Sequence, residues 1–101
     1  MPFGDFINAI PPLGFLAIHI VLFGLGAFFA WRSFGANAST LGWGFSLFAL
    51  AEVSYMTYHL DWTTFLFAHT ISEVLDLGAF VLVFVAVSRT ILSASTAPAR
   101  A

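Results

Sequence analysis

Hydrophobic positions along the chain gather into three long blocks separated by short polar breaks. The first runs from Leu13 to Phe34 and carries no charge before Arg32. The second runs from Leu41 to Leu60 with Glu52 inside it, and the third from Thr63 to Leu92 with Glu73, Asp76 and Arg89. Each block is near or above the ~20 residues that a membrane-spanning helix needs. The pattern predicts an all-α integral membrane protein. Its three transmembrane helices cover residues 13–34, 41–60 and 63–92, joined by short loops in an up-down-up bundle. The third is long enough to tilt or to project from the bilayer.

The breaks carry their own signals. Residues 33–40, SFGANAST, are small and polar, and Ser39 or Thr40 is a candidate cap for the second helix. The turn at residues 59–63 is tighter, with Asp61 or Thr63 placed to cap the third. Residues 93–101, SASTAPARA, read as a mobile polar tail. At the other end, Phe3, Phe6, Ile7 and Ile10 give residues 1–12 the look of an interfacial segment ahead of Pro11 and Pro12. This end has Asp5 where a signal peptide has positive charge, so the first block is read as a retained span.

Composition strengthens the membrane reading. Of 101 residues, 60% are hydrophobic and only 8% charged, against about 25% charged in a soluble domain that must face water on all sides. Lysine is absent, and Arg32, Arg89 and Arg100 form no basic patch, which argues against nucleic acid as a partner. The absence of cysteine excludes disulfides, thiolate metal sites and cysteine catalysis. With three spans the arginines share one side, which the positive-inside rule makes cytoplasmic. The expected location is therefore the cell (inner) membrane, with the N-terminus outside and the C-terminus cytoplasmic. Trp31 and Trp43 toward one side and Trp62 toward the other fit aromatic belts.

Orientation allows depth to be estimated. At ~1.5 Å per residue, His19 lies about 10 Å below the outer surface, Glu52 about 12 Å, His69 about 9 Å and Glu73 about 15 Å. Asp76 then falls near mid-bilayer and His59 near the rim. Helical spacing puts Glu52, Tyr55, Met56 and His59 on one stripe, and His69, Ser72, Glu73, Asp76 and Phe80 on another. His19 shares its stripe with Phe23, Gly26 and Ala30, and the Gly26/Ala30 pair invites close helix approach. Three helices thus bring ionisable groups to one level, facing inward.

An acid at bilayer centre costs on the order of 2.5–3.5 kcal/mol, so intramembrane acids are functional candidates by default. As plain interhelical hydrogen bonds they contribute only about 0.6 kcal/mol each. As a metal site, Glu52, His69, Glu73 and Asp76 offer imidazole and carboxylate ligands, and His69 and Glu73 are one helical turn apart. As axial ligands to a haem or a chlorophyll-type pigment, His19, His69 and His59 are the candidates. As a proton relay, Asp61, His59, His69, Glu73 and Asp76 would step inward from one side and stop, because the third helix is apolar from there to Ser88. No G-x-S-x-G elbow and no P-loop occurs. The expectation is a small non-enzymatic accessory subunit of a larger membrane complex, such as a respiratory or photosynthetic one. Its polar layer would contact a partner or cofactor, and its neighbours would be membrane lipids and other transmembrane subunits. The alternative is a homo-oligomeric membrane protein that binds a metal ion or relays protons through the same layer.

Overall fold

The computed structural model describes residues 3–96. A 3-10 turn at Asp5–Ala9 leads into three helices: α1, Pro12–Gly35; α2, Ser39–His59; and α3, Phe65–Thr96. No strand occurs among the described residues. Two helices are long and apolar enough to cross a membrane, Pro12–Gly35 and Phe65–Ala94 within α3. α2 matches them in reach, since its 21 residues extend ~32 Å, but a larger share of its residues is polar. α3 begins two residues later than its hydrophobic block and runs on through Thr96, four residues into the stretch read as a tail. The remainder of that tail, residues 97–101, lies outside the described residues.

The order is up-down-up, but the helices do not close into a three-way bundle. α2 packs against both neighbours, while no Cα of α1 comes within 8 Å of one in α3. The contacts show antiparallel packing on both sides. Along α1 and α2 they run from Phe34 beside Gly42, through Gly26 beside Ala49, to His19 beside Glu52. Along α2 and α3 they run from Gly44 beside Val83 to Tyr58 beside Phe65. The fold is a row of helices with α2 in the middle.

Small residues make this row. The buried positions of α1 are Gly26, Ala30 and Ser33, and those of α2 are Gly42, Gly44, Ala49, Ala51 and Glu52. On α3 they are Ala68, Ser72 and Ala79. The large apolar side chains point outward, among them Phe28 at 51% and Phe80 at 69% exposure. A water-soluble fold buries its large hydrophobes, and this chain does the reverse. Gly26 and Gly44 mark the closest approaches. A Cβ on Gly26 would meet the Phe48 ring at 2.8 Å and the Ala49 backbone N at 3.4 Å. One on Gly44 would meet Val83 Cγ2 at 2.8 Å and the Ala79 carbonyl at 3.3 Å. The Gly26/Ala30 pair read from sequence is thus in use, against α2. Beside these contacts the Ser72 hydroxyl donates to the Ala51 carbonyl at 2.9 Å, fully buried.

Both turns end their helices through a Schellman motif. The Ala38 N–H reaches the Ser33 carbonyl at 2.8 Å, and the Trp62 N–H reaches that of Thr57 at 2.9 Å. Asn37 (φ 61°) and Asp61 (φ 62°) supply the left-handed residue that each motif requires. Ser39 therefore already stands inside α2, whose cap residue Ala38 has no side-chain bond, and Asp61 closes α2 instead of opening α3. The Thr63 hydroxyl is shared with that of Thr57 at 2.9 Å.

Candidate functional site

Above the glycine contacts the α1–α2 seam turns polar. α1 presents His19 two turns before Gly26, on the same stripe, and the close approach at Gly26 holds that stripe against α2. Nδ1 of His19 shares a 2.5 Å hydrogen bond with Oε2 of Glu52, whose side chain is 6% exposed. The imidazole is clasped between two rings of α2. Tyr55 lies on it at 5.0 Å between centroids, and His59 at 5.2 Å. Phe15, one turn earlier on α1, stacks on His59 at 5.3 Å. The result is a column of rings, Phe15, His59, His19 and Tyr55, with Glu52 bonded to its side. α2 builds three of its members because Glu52, Tyr55 and His59 recur at helical spacing.

Tyr55 carries the column across to α3. Its hydroxyl donates to Oε1 of Glu73 at 3.3 Å, and its ring lies 6.5 Å from that of His69. His69 itself stacks on Phe65 at 5.2 Å. Glu73 is exposed on the surface of α3, amid apolar side chains such as Val74 and Leu77. Asp76 sits one turn further along α3, where its Oδ1 is buried without a hydrogen-bond partner.

The structure therefore joins His19, Glu52 and His59 directly, and reaches His69 and Glu73 through Tyr55. Asp76 stands apart from the ring column. Of the four groups considered as metal ligands, Glu52 turns to His19 of α1, Glu73 meets the Tyr55 hydroxyl, His69 stacks on Phe65, and Asp76 keeps its Oδ1 without a hydrogen-bond partner. Among the described residues no three His, Asp or Glu side chains are grouped to hold a metal ion. For a cofactor, His19 has its Nδ1 fixed by Glu52, the arrangement that commonly orients a ligating Nε2, and Tyr55 and His59 stack on its ring. Tyr55 is the connecting residue that reasoning from ionisable groups passes over. The signal for it was its place on the Glu52–His59 stripe, one turn from each.

Compared with known proteins, the chain matches no family model, no curated protein and no solved structure.

Proposed function

We propose that the chain is a three-span integral membrane protein and a non-enzymatic subunit of a larger membrane complex. One observation carries the spanning claim. α2 lies antiparallel to, and between, the two apolar helices along its length, joined to them by turns of a few residues. If α1 and α3 cross a bilayer, α2 crosses with them. Its lower hydropathy follows from its place, since it is covered on both sides and meets lipid along a narrower strip. The outward display of large apolar side chains supports the same reading. So do the tryptophans, with Trp31 and Trp43 exposed toward one end and Trp62 toward the other. Arg32 and Arg89 share the Trp31 end, which the positive-inside rule places in the cytoplasm.

Glu73 supports the subunit role. An exposed carboxyl within an apolar helix has only the long Tyr55 bond to offset its place in lipid, and a neighbouring transmembrane helix with a donor would cover it. Cysteine is absent, so single cysteines can be placed at will. Asn37→Cys and Trp62→Cys should label from opposite sides of sealed vesicles; labelling from one side overturns the three spans. The tagged chain, extracted from its own membrane in mild detergent, should travel in a particle of fixed composition that Glu73→Leu disperses. A single chain, unaffected by that change, overturns the subunit role.

A further inference from the structure

Because α1 and α3 stand apart, they leave a cleft floored by α2, with a volume of about 580 Å³. This lies within the roughly 300–1,000 Å³ range of small-molecule sites. Leu22 and Leu25 of α1 form one wall, Phe80 and Val83 of α3 the other, and Phe48 lies in the floor. The lining is apolar but for one group, Asp76. Its Oδ1 is buried and has no hydrogen-bond partner. Buried polar groups without partners are rare and costly, and an intramembrane carboxyl more so. The terminal torsion of aspartate is soft and two-fold, so either oxygen can turn to the cleft and accept a hydrogen bond there.

We infer that this cleft binds a lipid with a long apolar body and a hydroxyl head, the hydroxyl donating to Asp76 and the body lying along the phenylalanine-lined groove. The inference rests on the three-span reading, which places the cleft mouth toward acyl chains. A bare helix is a poorer occupant, because its backbone N–H groups are already spent on its own carbonyls and Asp76 lacks a donor. A pure hydrocarbon fills the groove equally well but leaves Asp76 as it is.

The test uses the full chain in phosphatidylcholine vesicles with hexadecanol carrying a photoactivatable diazirine in its chain. Flotation with the vesicles comes first; a chain that does not float overturns the membrane reading and this inference with it. In a floating chain, adducts should concentrate on peptides containing Leu22, Leu25, Phe80 and Val83. Unlabelled hexadecanol should compete about fivefold better than hexadecane, the ratio expected of one hydrogen bond. Asp76→Leu should abolish that preference, while Asp76→Asn, which retains an acceptor oxygen, should keep it. Leu25→Trp, at a half-exposed position in the wall, should reduce cleft labelling without touching Asp76. Adducts spread evenly over the outward faces, or equal competition by hexadecane against the native chain, overturn the ligand assignment while leaving the three spans intact.

Discussion

Replacing Gly44 by alanine tests whether helix spacing, and not hydrophobic content, holds the row together. The added methyl would stand 2.8 Å from Val83 Cγ2 and 3.3 Å from both the Ala79 carbonyl and the Val83 backbone N. The valine methyl can swing aside; the two backbone atoms cannot. α2 and α3 must part by a few tenths of an ångström along the seam that also carries the Ser72–Ala51 hydrogen bond. Overpacking of this kind costs about 1–3 kcal/mol. The same substitution at Gly24 meets nothing within 4 Å and gains about 1 kcal/mol from helix propensity alone. The two variants should therefore differ by about 2–4 kcal/mol in opposite directions from the native chain. Gly26→Ala falls between, because its nearest obstacle is the movable Phe48 ring. Far-UV circular dichroism during titration of the reconstituted chain with a denaturing detergent gives the midpoints. If Gly44→Ala proves as stable as Gly24→Ala, the close approach does not govern packing and the explanation fails.

Other substitutions probe the polar contacts. Ser72→Ala removes a buried hydrogen bond and should lower stability in the same titration by about 0.6 kcal/mol, and by no more than about 1.7. Glu52→Leu strips His19 of its partner and should cost about 1–3 kcal/mol, whereas Glu52→Gln retains a bonding oxygen and should lose less; equal losses would place the cost in packing. Asp61→Gly relieves a positive-φ residue and should raise the midpoint by up to about 1 kcal/mol, while Asp61→Val should lower it.

Much of the helical layout was open to reading from the blocks of apolar residues, because a stretch that long and that greasy has few alternatives. The level shared by His19 and Glu52 was also readable, since rise per residue fixes depth once span ends are placed. The row was not. Gly26 and Ala30 marked the face of α1 that meets α2, but helices this apolar carry little further directional signal, and nothing in the sequence says that α1 and α3 miss each other. The turns misled for a related reason. Ser39, Thr40, Asp61 and Thr63 all suit an N-cap, but the left-handed tolerance of Asn37 and Asp61 decides the geometry, and the polar side chains fall into other places. The acids were ranked alike in sequence, and the fold sorts them: Glu52 pairs with imidazole, Glu73 meets Tyr55 at the surface, and Asp76 lines the cleft.

The middle helix offers the sharpest consequence of the row. Leu41, Phe45, Leu47, Phe48, Leu50 and Val53 each favour insertion by about 0.3–0.6 kcal/mol. Glu52 near the helix centre opposes it by about 2.5–3.5 kcal/mol, which offsets nearly all of that gain. Ser39, Thr40, Ser46, Ser54 and His59 add further cost. α2 alone is therefore expected to insert poorly. In the row Glu52 is bonded to His19, and the small residues of α2 face helices, so the cost falls once a neighbour is present. Insertion measured with glycosylation tags on both sides should show α2 alone mostly outside the membrane, and α1 with α2 inserted as a hairpin. His19→Leu in that hairpin should return part of the population to the uninserted form, even though leucine is the more apolar residue. Efficient insertion of α2 on its own, or improved insertion with His19→Leu, would mean that the His19–Glu52 pair plays no part in seating the helix.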